Sequence, residues 1–317
     1  MIIPVRRPVR QMVTTLLLCG AWGCGARDVA PERQLTIFAA GSLARPLREA
    51  LDSIAAAGGP SVRMEIMGSR ELLRSVIALR RTPDLIVTAD ADELERLLIP
   101  QYVMSATTFA RNRVVLALSR RLPTTDTITA ANWADVVSTG RLRVARADPA
   151  RAPLGYRTQM VWQLAELELD RPGIAAKLAS ASPASLLRGN EADLAALLES
   201  GDADAAWCYE SLARALKLPY VRIGDRLDFG TESDSASYRR ASVAITGEMP
   251  NEPITIRGMP IRYAMAAVSN GPDLIQATVL AARLLDSTSV RIMRRAGLDV
   301  LGTPRVVAVP SRIVLPQ

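Results

Sequence analysis

The sequence predicts an α/β fold of two lobes with a hinged cleft between them. Three observations lead there. From residue 35 onward, short apolar strands alternate with amphipathic helices; an apolar run at 113–118 then leads into a segment with Pro123 and no helical period; a second apolar run at 261–268 precedes a long amphipathic helix. A chain that leaves one lobe near residue 117 and returns near residue 263 joins the two by paired connections, the arrangement of a hinge. Lobe one is therefore expected over 35–117 plus 264–317, and lobe two over 118–263.

The first lobe opens with strand 35–39 and helix 44–56, then strand 62–66 and helix 71–79, then strand 85–88 and helix 92–98. In LTIFAAGSLARPLREAL (35–51) a strand runs through Ala39, Ala40, Gly41 and Ser42 straight into a helix, with Ser42 where an N-cap belongs. The first N–H groups of a helix lack intrahelical partners and carry partial positive charge, so such a turn invites an anion. A second copy follows at Met67-Gly68-Ser69-Arg70-Glu71. Loops 40–42, 68–69 and 88–90 all lie at the carboxyl ends of predicted parallel strands, where open α/β sheets bind ligands. Two Gly-Ser helix starts in that position suggest one oxyanion held between them, although each serine alone also reads as a simple N-cap. Asp92 reads as the cap of the third helix, with Asp90 in the turn before it.

In the second lobe, helices are expected near 132–137 and over 156–169, 191–200 and 210–216, with strands at 142–145, 205–208 and 220–223. Segments 243–246 and 254–256 flank Pro250-Asn251-Glu252-Pro253 and read as a hairpin. After the return, helix 273–285 covers the first sheet, and helix 289–296 stops at Gly297 in a left-handed cap.

Composition narrows the function. With 317 residues and 49% hydrophobic content the chain can bury a substantial core and is long enough for two domains. The formal charge of +7 is almost wholly arginine, since Lys177 and Lys217 are the only lysines, and those arginines are scattered among only 4% aromatic residues. Neither a basic stripe nor a stacking platform results, which argues against nucleic acid. There is no histidine, hence none of the commonest general base, proton shuttle or transition-metal ligand. Cys-x-x-Cys, Gly-Lys-Ser/Thr phosphate-loop and Gly-x-Ser-x-Gly patterns are also absent, so neither an enzyme nor a cofactor is expected.

The N-terminus has a separate logic. Arg6, Arg7 and Arg10 precede an apolar run at 12–18 and the small residues Gly20, Ala21 and Gly23, the make-up of a secretory signal over 1–23. Cys24 then opens a polar tether, 24–34, and resembles the lipidation cysteine of bacterial lipoproteins, with plain cleavage as the alternative; Cys19 fits less well after Leu18. Acylation of Cys24 would leave Cys208 as a lone thiol, with no internal disulfide.

Four stretches, 35–43 (LTIFAAGSL), 98–118 (LIPQYVMSATTFARNRVVLAL), 155–166 (GYRTQMVWQLAE) and 261–268, together resemble the periplasmic tungstate/molybdate-binding proteins of ABC importers. The boxes Phe109-Ala110-Arg111-Asn112 and Leu154-Gly155-Tyr156-Arg157 carry most of the resemblance. It implies the type II periplasmic-binding-protein fold, a monomer in the periplasm or envelope, molybdate or tungstate as ligand, and an ABC permease as partner. By the same resemblance Gly41, Ser42 and Ser69 hold the oxyanion from lobe one, and Ala152, Pro153, Gly155, Tyr156 and Tyr209 face it from lobe two.

In the tungstate-type branch, one carboxylate shortly before the Gly-Tyr-Arg box and another at the turn matching Trp207-Cys208-Tyr209-Glu210-Ser211 bind the metal directly. Here Arg151-Ala152-Pro153 and Cys208 occupy those columns, although a shift of register would bring in Asp148 or Glu210. Without the acids the ligand stays four-coordinate and is held by donors, with no protein metal ligand. Tyr209 is then either a donor or a packing residue; Arg151 and Arg157 either neutralise charge or sit in solvent; Cys208 stays a thiol beside an anion. Other ligands consistent with these residues are sulfate, phosphate or a small organic anion, and another class of function is an envelope sensor or structural lipoprotein.

Overall fold

The computed structural model describes residues 33–123, 125–246 and 253–309. The expected signal, Cys24, most of the tether and the centre of the hairpin turn lie outside the described residues.

The chain begins β1 (Leu35–Ala40), α1 (Ala44–Ala56), β2 (Val62–Met67), α2 (Ser69–Ile77), β3 (Leu85–Thr88), α3 (Ala91–Leu98) and β4 (Ser105–Arg111). It continues with β5 (Val114–Leu118), α4 (Trp133–Ser138), β6 (Val144–Ala147), α5 (Pro153–Glu168), α6 (Ile174–Ser180), β7 (Leu187–Arg188), α7 (Glu191–Ser200), β8 (Ala205–Tyr209), α8 (Glu210–Ala215) and β9 (Tyr220–Arg222). A single turn, α9 (Ser235–Tyr238), precedes the hairpin β10 (Ser242–Thr246) and β11 (Pro253–Arg257); then come β12 (Arg262–Ala267), α10 (Leu274–Leu284), α11 (Ser287–Arg295) and β13 (Asp299–Ala308).

Lobe one is built on a six-stranded sheet ordered β13-β4-β12-β3-β1-β2, and lobe two on a five-stranded sheet ordered β7-β6-β8-β5-β9. In the first, β1 runs parallel to β2 and β3, whereas β12 and β13 are antiparallel to their neighbours. β1 and β3 are buried on nearly every residue, as strands covered on both faces must be. Phe38, Leu72, Leu73, Ile86 and Leu94 pack on the face under α2 and α3. In lobe two the rings of Trp133 and Trp162 meet Trp207 edge-on, with centroids 5.6 and 6.5 Å apart.

Three expectations are corrected. The outward crossing lies at Asn112-Arg113 rather than near 117, because β5 pairs with β8 and β9 and so belongs to the second sheet. An all-apolar strand declares its burial but not which sheet buries it. The cap of α3 is Asp90, whose carboxylate accepts the Glu93 N–H at 3.1 Å, and not Asp92. Ser42 is not an N-cap either: it lies in a 3-10 turn, Gly41–Leu43, with no side-chain cap bond there or at α1. Asp273 and Asp286 cap α10 and α11 as their positions require, and Gly297 adopts φ +97° just after α11.

Candidate functional site

The carboxyl ends of β1, β2 and β3 face the N-termini of α5 and α7 and the end of β8, enclosing a cavity of about 240 Å³, counting its space open to solvent. Lobe one lines it with Gly41, Ser42, Gly68, Ser69 and Ala89; lobe two contributes Ala152, Pro153, Asn190, Glu191 and Tyr209.

Both serines are committed as acceptors on one side. Tyr263 Oη donates to Ser42 Oγ at 2.9 Å and itself receives Asn112 Nδ2 at 2.8 Å. Ser69, the first residue of α2, accepts the Ala89 N–H at 3.0 Å. A hydroxyl has one hydrogen and two lone pairs, so each serine keeps its own hydrogen for a further acceptor. The next two N–H groups of α2 are already used, since Arg70 and Glu71 donate to the Arg151 carbonyl of lobe two at 3.1 and 3.3 Å. Gly68 permits this approach: a Cβ there would stand 2.2 Å from Arg151 O and 2.9 Å from Gly189 O. A Cβ on Gly41 would similarly meet Glu191 N at 3.0 Å.

Across the cleft, Ala152 precedes α5 with Pro153 in its first position, where the missing N–H costs nothing. Tyr209 Oη accepts Arg157 Nη1 at 2.6 Å, and burial pushes its phenol well above the usual range, so it stays protonated. Arg157 is no surface group: at 4% exposure it donates to the Ala89 carbonyl at 2.8 Å and pairs with Asp90 at 3.2 Å. Tyr156 also donates to Asp90. Since Arg157 and Tyr156 belong to lobe two and Ala89 and Asp90 to lobe one, these contacts clasp the lobes together. Arg151 adds a half-exposed ion pair with Glu71 at 2.7 Å.

Of the residues expected in the site, Gly41, Ser42, Ser69, Ala152, Pro153 and Tyr209 line the cavity. Four do not. Gly155 packs against the 148–149 turn, where a Cβ would sit 2.3 Å from Pro149 N. Tyr156 turns to Asp90 and lines a separate cavity of about 810 Å³, again counting its space open to solvent, between α3, α5 and β11. Cys208 points away from the cavity into the core, as alternation along β8 requires when Tyr209 points in; burial, reinforced by Glu191, raises its thiol pKa. Glu210 accepts from Arg222 at 2.8 Å and from Tyr220 at 3.1 Å, outside the cavity. Asp148 accepts the Ala150 N–H at 2.8 Å and closes its own turn. Neither change of register therefore restores an acid at the expected columns.

One lining acid was missed. Glu191, 4% exposed in the first turn of α7, receives the Tyr209 N–H on Oε1 at 2.5 Å, while its Oε2 is buried without a hydrogen-bond partner. Burial raises its pKa to about 8, against the Tyr209 N–H and the Ser42 hydroxyl. An acid in a first turn ordinarily answers the helix dipole at the surface, so sequence position did not single it out.

The profile of the bacterial extracellular solute-binding proteins matches residues 35–299. A putative ABC transporter molybdenum-binding protein of Haloferax volcanii is 32% identical over 76% of this chain and 74% of its own length. The molybdate/tungstate-binding protein WtpA of Thermococcus kodakarensis is 24% identical over 94% and 93%. Among solved structures, the periplasmic molybdate-binding protein of Azotobacter vinelandii superposes with a TM-score of 0.61 at 17% identity, over 84% of this chain and 98% of that one, a likeness of fold. The two sheets with a lined cleft between them, and a profile match spanning nearly all the described residues, place this chain in the bacterial extracellular solute-binding protein family.

Proposed function

We propose that this protein captures molybdate or tungstate outside the cytoplasm and hands it to an ABC permease. It is a binding protein rather than an enzyme, in keeping with its family. The observation that carries the ligand is the donor set: two serine hydroxyls obliged to donate, and a protonated Tyr209, converge on one small cavity that no lysine or arginine lines. Hydrogen bonds to a charged partner contribute about 1.5–3 kcal/mol each net of those lost to water, so several convergent donors favour an anion in the cavity. Relatives named for molybdenum, molybdate and tungstate support the same choice.

Ala152 lines the cavity while Cys208 and Glu210 turn away from it, so neither expected column presents a carboxylate, and the one acid among the lining residues is Glu191. Discrimination against sulfate then rests on cavity size, because the two ions share charge and shape. Calorimetric titration with molybdate, tungstate, sulfate and phosphate tests this. Molybdate or tungstate should bind with the lowest Kd; a preference for sulfate or phosphate would reassign the ligand, and no binding of any would turn the reading toward a sensor or structural role.

Residues 1–23 serve as an export signal in this reading, and Cys24 as the lipid anchor of a monomer in the cell envelope. Palmitate labelling of the wild type, lost in Cys24→Ala with release of the protein into the soluble fraction, is the expected result; unlabelled wild type would leave export by plain cleavage.

A further inference from the structure

We infer that Arg157 is a positioning residue for ligand capture: it takes acceptors from lobe one and fixes Tyr209 Oη as an acceptor in lobe two, so that closing the lobes aims the Tyr209 hydrogen into the cavity. The inference rests on the oxyanion reading above and names the residue that ties capture to closure.

The polarity of one guanidinium decides the direction of one hydroxyl. Arg157 has only N–H groups to offer, so whatever it touches must accept. Its Nη1 donates to Tyr209 Oη at 2.6 Å and to the Ala89 carbonyl at 2.8 Å, and its Nη2 stands 3.2 Å from Asp90 Oδ2. Burial keeps the Tyr209 phenol protonated, and its hydrogen cannot turn back toward a group that has no lone pair. The Tyr209 ring packs edge-on against Tyr263, 6.1 Å between centroids at 74°, so only the direction of its O–H remains to be set. Among the described residues that hydroxyl donates to no acceptor, and Tyr209 lines the cavity. The hydrogen is left for whatever fills that space.

Ala89 carries the arrangement across the cleft. It follows the wholly buried β3, its N–H fills a lone pair of Ser69 Oγ at 3.0 Å, and its carbonyl takes Arg157. One residue of lobe one thereby sets a donor in each lobe, Ser69 directly and Tyr209 through Arg157. Asp90, next in the chain, is braced by the Glu93 N–H at 3.1 Å and by the Tyr156 hydroxyl. Arg157 and Tyr209 belong to lobe two, so parting the lobes removes both lobe-one acceptors, returns the guanidinium to water and frees the Tyr209 O–H to rotate. A ligand that accepts from Tyr209 binds the closed arrangement better, and by that difference favours it.

The test is a set of calorimetric titrations of molybdate into the full chain. Arg157→Lys keeps a group that only donates and should preserve the direction of Tyr209, with Kd within about threefold of wild type. Arg157→Gln brings in an amide oxygen to which Tyr209 can donate away from the cavity, and should weaken binding by about tenfold or more. In a Tyr209→Phe background the same Gln substitution should cost clearly less, because the hydroxyl it misdirects is gone. Equal losses in the Lys and Gln variants, or a Gln penalty unchanged by Tyr209→Phe, would overturn the inference and leave Arg157 a structural residue. Wild type gives a reading that needs no variant at 157 to fold. Its tyrosine Raman doublet, taken as the difference from Tyr209→Phe, should shift at saturating molybdate to that of a hydroxyl that both donates and accepts; an unmoved doublet overturns the inference as well. Titrations with sulfate and phosphate separate this from the ligand reading: tighter binding of either overturns only the choice of ligand, the doublet then being read with that ion, and binding of none overturns both.

Discussion

Tyr263 donates its phenolic hydrogen to Ser42 Oγ across 2.9 Å, and it does so because Asn112 has already filled its acceptor side at 2.8 Å. The Asn112 amide cannot be turned round, since its Oδ1 accepts the N–H groups of Arg113 at 2.9 Å and Ser211 at 3.3 Å. Asn112 stands at the outward crossing and Tyr263 on the returning strand, and the crossings are joined by the Asn112 N–H to Ile261 carbonyl bond at 3.3 Å. A one-way chain of donors thus runs from the hinge to the cavity and leaves Ser42 a donor.

Tyr263→Phe frees Ser42 to rotate and accept instead. Molybdate affinity should fall by about tenfold, roughly 1.4 kcal/mol, in calorimetry, with little change in fold by circular dichroism. Unchanged affinity would mean that Ser42 needs no orienting partner.

Ser42→Ala combined with Ser69→Ala removes two of the donors that face the cavity. Binding should weaken by at least about tenfold, since each lost bond to a charged ligand is worth about 1.5–3 kcal/mol. The removed hydroxyls also leave the Tyr263 O–H and the Ala89 N–H without acceptors, so stability should be measured alongside.

Gly68→Ala places a methyl 2.2 Å from the Arg151 carbonyl, which is backbone and cannot swing aside. The lobes should then stop short of closure. Small-angle scattering with saturating ligand would show the wild type contracting and the variant not, at similar unliganded melting temperatures.

Arg157→Leu leaves Asp90 buried with only the Tyr156 hydroxyl and the Glu93 N–H of the partners described and strips Tyr209 of its donor. Removing one member of a buried pair costs about 3–5 kcal/mol, readable as a shift in the urea midpoint. Arg151→Leu, breaking only a half-exposed pair with Glu71, should change stability by less than about 1 kcal/mol.

Stability should also fall as pH rises from about 5 to about 8. Burial raises Glu191 from 4.5 to about 8 and Asp228 from 3.8 to about 6 in the folded state, so over those windows the unfolded chain releases protons that the folded one keeps. Their contribution is complete below the unfolded pKa values and is lost through the folded ones, by at most about 1.4 kcal/mol per pH unit for each group. Glu191→Gln should flatten the slope between pH 6 and 8 in urea denaturation; an unchanged slope would place the titration elsewhere.

Much of this was legible beforehand because it is local. Short strands rich in apolar residues, followed by small-residue turns at Gly41-Ser42, Gly68-Ser69 and Ala89, mark β1, β2 and β3, and the loops at their ends converge as that pattern predicts. β13 was missed, as Gly302 and Pro304 interrupt its pattern; an edge strand tolerates both, and here a register shift lies between Val300 and Arg305. The short helix α6 likewise went unread, a segment too brief for its period to stand out.

The sequence by itself determined the α/β alternation, the two crossings in outline, and the small-residue turns at Gly41-Ser42 and Gly68-Ser69, since strand and helix periods and turn chemistry act over a few residues. Only the tertiary structure decided that β5 belongs to the second sheet, that Tyr156 and Arg157 clasp Asp90, that Cys208 and Glu210 turn away from the cavity, and that Glu191 turns into it. The reason is that side-chain direction and burial depend on which surface is packed opposite, and that surface belongs to distant residues, 66 positions apart for Tyr156 and Asp90 and 95 for Val114 and Tyr209.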